Sequence, residues 1–289
     1  MSLTDIKYVK LLMKEYNINF KKKYGQNFLI NPEVPDNIAS ECTENKNSGI
    51  LEIGPGIGTM TQYLCEYYKK VVAVEIDTDL IGLLSVNMHP YSNFKVINDD
   101  IMKIDLNKLI EEEFSGMPVS VCANLPYYIT TPILMKLLES NVKFDCITVM
   151  MQKEVADRIC ATAGKSEYGA VSAVVNYYAR PEKLFDVTAE NFIPAPKVDS
   201  TVIRLNLYKE PPVKVKSEKL LFKTIKGAFE QRRKTLSNAL SGYFSEIPKS
   251  EITSIIESCG FKSDIRGEKL DIHGFALLSD ALFDYGANS

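Results

Sequence analysis

Along the first two thirds of the chain, short apolar runs alternate with stretches of helical period. Near-continuous apolar runs of strand length predict strands at 50–53, 71–75, 94–98, 118–123 and 144–150. Helices are predicted between and after them, at 59–68, 78–87, 131–139, 152–162 and 168–178. Ahead of the first strand, Ile6, Val9, Met13 and Tyr16 recur at helical spacing behind Thr4, and a second helix over 31–42 is entered at Pro32. Strands alternating with helices predict an α/β fold, a doubly wound parallel sheet that binds ligands at the carboxyl ends of its strands. Phe192 to Ser200 (F-I-P-A-P-K-V-D-S) reads as a proline-stiffened loop feeding a strand over 201–207. Beyond Lys209-Glu-Pro-Pro the pattern is wholly helical, with Leu220, Ile225, Phe229, Leu236 and Leu240 as its apolar positions. Two domains follow, 1–207 and a smaller all-helical 208–289.

Composition narrows the class. Of 289 residues, 45% are apolar, enough for a packed core, and no apolar run approaches the length of a membrane span. The amino terminus has lysines and acids where a signal peptide would have an apolar core, so a cytoplasmic protein is expected. Six scattered cysteines without a CxxC pair and only two histidines, His89 and His273, argue against a metal site or a disulfide frame. The net charge of −3 conceals two basic zones. Residues 1–30 carry +4 and residues 209–234 carry +6, leaving about −13 on the rest. Such runs serve either as solvated faces or as contacts to phosphate.

The organising stretch is I-L-E-I-G-P-G-I-G, Ile50 to Gly58, a buried strand breaking into glycines at 54, 56 and 58. Glycine there lets a ligand approach the backbone closely. Taken alone, the loop leaves a plain strand-to-helix turn as the alternative. Glu75, ending the second strand 21 residues after Gly54, is placed to reach the hydroxyls of a ribose. The third glycine of a dinucleotide fingerprint is replaced by Thr59, and Glu52 ahead of the loop would repel a pyrophosphate but attract an ammonium group. A nicotinamide dehydrogenase is thereby disfavoured, and S-adenosylmethionine fits.

Asn124-Leu-Pro-Tyr127, ending the fourth strand, is the most specific signal. The exocyclic amine of adenine is a poor nucleophile because its lone pair is delocalised into the ring. An Asn side-chain oxygen and the Leu125 carbonyl, both acceptors, would take its two hydrogens and localise the pair. Pro126 restricts Leu125 to extended geometry, and Tyr127 would stack on the base. Asp100, with Asp99 as competitor, is placed to accept from the cofactor's own adenine amine.

These residues closely resemble the small-subunit ribosomal RNA adenine dimethyltransferases. The likeness covers nearly the whole chain and includes Tyr24-Gly-Gln-Asn-Phe-Leu29, Glu52 to Gly58, Val74-Glu-Ile-Asp77, Asn124 to Tyr127, Gln152-Lys-Glu-Val155, Tyr168-Gly169, Phe192 to Ser200 and Ala228 to Leu236. The resemblance implies a Rossmann-like methyltransferase sheet whose last strand is antiparallel. It also implies a cofactor site using Asn27, Leu29, Gly54, Glu75, Asp100 and Asn124, with Phe192 covering the face of the target adenine opposite Tyr127. The implied reaction dimethylates two adjacent adenosines near the 3′ end of 16S rRNA in the small subunit, by a metal-free monomer with no membrane partner. RNA contacts are expected from Lys21, Lys22 and Lys23 and from Arg232, Arg233 and Lys234, the latter three facing outward from a helix. Rival readings are a sister group acting on large-subunit rRNA and an assembly factor for which methylation is secondary. The acidic overall balance is the one departure from an RNA-binding pattern.

Overall fold

The computed structural model describes residues 2–16, 18 and 27–287. Contacts divide the chain into two compact units, Met1–Ala156 with Glu182–Leu207, and Asp157–Pro181 with Tyr208–Ser289. Residues 157–181 thus group with the carboxyl-terminal helices. The reason lies in Tyr168, Ala173 and Tyr177, which are buried in one apolar cluster with Leu220, Leu221 and Ile225.

The first unit carries a sheet of seven strands: β2 (Gly49–Ile53), β3 (Lys70–Glu75), β4 (Phe94–Asn98), β5 (Val119–Asn124), β6 (Cys146–Gln152), β7 (Ala179–Val187) and β9 (Ser200–Leu207). Their spatial order is β4-β3-β2-β5-β6-β9-β7. Pairings from β4 through β6 are parallel, and β9 lies antiparallel to β6. The chain runs outward from β2 to β4, then returns to β5 on the other side, so the strand order reverses between β2 and β5. A crevice opens at such a switch point, over the carboxyl ends of the strands. Every residue of β2 is buried, whereas β4, at the sheet edge, is half exposed.

Helices α1 (Ile6–Glu15), α2 (Glu33–Ser40), α3 (Thr61–Tyr67), α4 (Thr78–Met88) and α6 (Thr130–Leu138) occupy the predicted stretches. Asp5 caps α1 by accepting from the Lys7 and Tyr8 amides, and Asp77 caps α4 through the Asp79 amide. Two of the longer elements lie outside the predicted stretches. Helix α5 (Leu106–Phe114), capped by Asp105, connects β4 to β5 and buries Leu106, Leu109 and Phe114. Strand β7 carries Arg180, Glu182, Lys183 and Asp186, which mask its strand pattern.

A second, two-stranded sheet joins β1 (Phe28–Leu29) to β8 (Phe192–Ile193), antiparallel, with Leu29 opposite Phe192. Asn31 Nδ2 donates to Asn191 Oδ1 at 2.9 Å and extends the tie.

In the second unit, α8 (Ala170–Tyr178), α9 (Glu218–Glu230), α10 (Leu236–Tyr243), α11 (Lys249–Ser258) and α12 (Ile272–Tyr285) enclose a core that includes Phe275, Leu278 and Leu282. Helix α7 (Lys153–Ile159) spans the point where the chain leaves the first unit. Among the described residues, no helix is long and apolar enough to cross a membrane, and no three His, Cys, Asp or Glu side chains gather in a metal-binding arrangement.

Candidate active site

The glycine loop after β2 holds Gly54 at φ +71° and Gly56 at φ +60°, the left-handed region that favours glycine. At Gly56 a Cβ would also stand 3.2 Å from the Phe28 ring. Its amide donates to Glu75 Oε2 at 3.1 Å, and the Asp77 amide donates to Oε1 at 2.8 Å. Glu75 is buried, yet each of its oxygens keeps a lone pair for a further donor. Burial raises its pKa, and the backbone amides of Asp77 and Gly56 partly offset that.

A cavity enclosing about 1120 Å³, its open mouth included, lies over these strand ends. All six expected cofactor positions, Asn27, Leu29, Gly54, Glu75, Asp100 and Asn124, line it. So do Leu125, Tyr127 and Phe192. The β1–β8 pairing brings Asn27 and Leu29 there from a distant part of the sequence. Glu52, Glu75, Asp99 and Asp100 line the cavity, and among the described residues no lysine or arginine does. An acid-lined cavity suits a cationic ligand and repels phosphate. Asp99 Oδ1 accepts from the Asp100 amide at 2.7 Å, and Asp100 Oδ1 accepts from the Met102 amide at 2.9 Å. Both acids therefore help fold the turn after β4 and retain a second oxygen.

Glu52 is wholly buried, and among the described residues neither carboxylate oxygen has a hydrogen-bond partner. The hydroxyls of Thr59 and Thr61 are likewise unpartnered. Burial pushes the Glu52 carboxyl up to about 8; the nearby Thr61 hydroxyl offsets a little and the Glu75 carboxylate adds to the rise. An unpaired buried acid holds its proton because the charged form lacks solvation.

Asn124 ends β5 opposite Met150 of β6. Among the described residues, nothing donates to its side-chain oxygen or to the Leu125 carbonyl. Two acceptors on cavity-lining residues are thus unused among the described residues. The Ile129 amide donates to the Pro126 carbonyl at 3.1 Å, closing a tight turn with Tyr127 and Tyr128 at its centre. Tyr127 Oη and Ser200 Oγ are hydrogen-bonded at 2.8 Å, which fixes the ring at the start of β9. Burial raises the Tyr127 pKa, its bond to Ser200 offsetting part of the rise. Ser200 escaped sequence reasoning because it lies 73 residues from its partner and no local pattern joins the two.

The basic residues divide. Lys21, Lys22 and Lys23 lie outside the described residues. Arg232, Arg233 and Lys234 are exposed, but the expectation that they stand on a helix is corrected: α9 ends at Glu230, and they form the turn before α10. The sequence Gln231-Arg-Arg-Lys lacks an apolar position to hold a helical turn against the core. Arg232 donates to the Ser166 carbonyl and, at 3.0 Å, to the Tyr168 carbonyl, with Glu268 3.6 Å away. It staples the second unit internally. The side chains of Arg233 and Lys234 meet no partner among the described residues.

Solved structures that share the fold place it in the Rossmann-like methyltransferase class. A dimethyladenosine transferase from Plasmodium falciparum superposes with a TM-score of 0.74, is 25% identical, and is matched over 89% of this chain and 96% of its own. The 23S rRNA methyltransferase ErmE, 21% identical over 89% of this chain and 99% of its own, shares the fold with a TM-score of 0.69. A family model described as ribosomal RNA adenine dimethylase matches residues 17–261, and the chain belongs to that family. Ribosomal RNA small subunit methyltransferase A of Lachnoclostridium phytofermentans is 49% identical over 97% of each chain. Its namesake from Streptococcus thermophilus is 43% identical over 99% of this chain and 100% of its own.

Proposed function

We propose that the protein methylates the N6 amines of two adjacent adenosines near the 3′ end of 16S rRNA in the small ribosomal subunit, giving N6,N6-dimethyladenosine, with S-adenosylmethionine as donor. The observation that carries this reading is the pair of acceptors unused among the described residues, Asn124 Oδ1 and the Leu125 carbonyl, on residues that line an acid-lined cavity. Family membership and relatives bearing the small-subunit name, at 43% and 49% identity, favour 16S over 23S rRNA. The protein acts in the cytoplasm as a metal-free monomer.

The cofactor fits the acids present. Glu75 would hold its ribose hydroxyls, Asp100 its adenine amine, Glu52 its ammonium group, and Asn27, Leu29 and Gly54 would complete the walls. When bound, it supplies an electrophilic methyl on a sulfonium. The chain's own work is to ready the amine. Asn124 and Leu125 accept its two hydrogens and favour a tetrahedral nitrogen, while Tyr127 and Phe192 hold the base between two rings. Such a base must leave its stack, which suits a single-stranded or looped target. No side chain is needed as base, since the alkylated amine releases its proton readily to water.

Incubating the protein with labelled S-adenosylmethionine and small subunits lacking adenine dimethylation, then mapping modified bases by mass, tests the reading. Two adjacent dimethyladenosines are expected; modification confined to large-subunit RNA would overturn it.

At the cofactor, Glu75→Ala should weaken binding by one to two charge-assisted hydrogen bonds, about 1.5 to 3 kcal/mol each. Because Glu75 also receives the Gly56 and Asp77 amides, the melting temperature should be read alongside calorimetry. Unchanged affinity in a folded variant would refute the assignment.

At the RNA, Arg233→Ala with Lys234→Ala should flatten the dependence of log K on log salt by about 1.4 to 1.8 for two lost phosphate contacts. Arg232→Ala should instead lower the melting temperature, since Ser166, Tyr168 and Glu268 lose their partner. A salt slope left unaltered by the double substitution would remove Arg233 and Lys234 from the interface.

A further inference from the structure

Tyr128 is the most exposed large apolar side chain among the described residues, at 62%. It lines the same cavity as Tyr127, its neighbour in the turn. The two rings differ in every other respect. Tyr127 is half-buried and tethered to Ser200, whereas Tyr128 meets no hydrogen-bond or ring partner among the described residues. The turn that carries it is nonetheless fixed, because the Pro126 carbonyl accepts both the Ile129 amide and the Thr130 hydroxyl, each at 3.1 Å. An aromatic ring is thus held in water, at the lip of the cavity, by a rigid backbone.

Taking a base out of its strand uncovers one face of the next base. Any base has a π-face that stacks on an aromatic ring, whatever its sequence identity. A tethered, half-buried ring and a free, exposed ring on the wall of one cavity, one residue apart, suit a target base and its immediate neighbour. We propose that Tyr128 is a substrate-positioning residue that stacks on the nucleobase flanking the target. This rests on the proposed methylation of RNA bases and adds the residue that registers the strand at the mouth. With two adjacent adenosines as substrate and a fixed strand polarity, one adenosine would occupy the outer ring while the other is modified, and the next base in the same direction would take that ring when the register shifts by one.

The test uses the full chain, small subunits lacking adenine dimethylation and S-adenosylmethionine, and measures kcat, KM for subunits and cofactor affinity for Tyr128→Ala, Tyr128→Leu and Tyr128→Phe. Ala and Leu should raise KM by roughly tenfold to a hundredfold, the range expected for one lost base stack, without altering cofactor affinity. Phe, which keeps the ring, should rescue. An unaltered KM in the Ala variant overturns the stack, and so does rescue by Leu, which would indicate apolar packing alone. Loss of cofactor affinity in the Ala variant would overturn it too, making Tyr128 a wall of the cofactor site. Subunits left unmethylated by the unsubstituted protein would overturn the functional reading itself, and the stack with it.

Discussion

Asn124→Ala is expected to slow methyl transfer by roughly 10² to 10³, the loss found when one preorganised partner of a developing charge is removed. The fold should survive. The Asn124 side chain makes no hydrogen bond with the described residues, so truncation strands no buried donor or acceptor there. RNA affinity should stay near normal, because phosphate contacts supply most of it. Cofactor affinity should fall somewhat, since Asn124 faces the same cavity as the acids. Single-turnover rates at saturating cofactor and RNA isolate the chemical step. A normal rate under those conditions would take Asn124 out of the mechanism and leave the Leu125 carbonyl as the only acceptor.

The second large effect is a pH dependence centred on Glu52. Its carboxyl is raised from 4.5 to about 8 by burial. Between those values the folded protein binds the proton and the unfolded chain does not, so stability is greatest below pH 4.5 and declines as pH rises towards 8. At about 1.36 kcal/mol per pKa unit, the full decline is on the order of 5 kcal/mol. Of the groups facing Glu52, the Glu75 carboxylate adds to the rise and the Thr61 hydroxyl opposes it; the thiols of Cys65 and Cys122 are raised too, with Glu52 among the causes, and stay neutral through this range. Glu52→Gln removes the titrating group while keeping its shape. The variant should therefore melt higher than the parent at pH 8 and differ less at pH 5, as thermal unfolding at both values would show. Cofactor binding should change in the opposite sense. A cation beside Glu52 favours the ionised form, so binding should release a proton below pH 8 and strengthen as pH rises to that value. In Glu52→Gln the affinity should be lower and flat with pH. Calorimetry in two buffers of different ionisation enthalpy would detect the proton. Identical heats in both would exclude the linkage.

What the sequence made legible was local. The glycine loop, Glu75 and Asn124-Leu-Pro-Tyr127 were readable because each couples a strand end to a turn within a few residues, and the sheet brings strand ends together by construction. Helix α5 went unread because its acids and Asn107 dilute the apolar spacing of Leu106, Leu109 and Phe114. Strand β7 went unread because charges occupy the positions that should alternate. Ser200 and the opening of Asn27 and Leu29 towards Phe192 depend on contacts between distant stretches, which a periodicity cannot carry. Residues 157–181 were placed in the first domain because they precede the proline break at 211–212, yet the burial of Tyr168 and Tyr177 groups them with later helices. Arg232 shows the limit most clearly. A charge run announces three equivalent cations, whereas the carbonyls of Ser166 and Tyr168, far away in sequence, engage one of them and leave two.

The short ribbon formed by Phe28–Leu29 and Phe192–Ile193 has a consequence for binding. One of its strands carries a proposed cofactor contact and the other a proposed contact to the target base, and backbone hydrogen bonds hold the two strands in one register. A ligand that steadies either strand steadies both. Donor and acceptor are then energetically coupled across the cavity, and the coupling is reciprocal: whatever advantage a resident cofactor confers on the incoming base, the base confers equally on the cofactor.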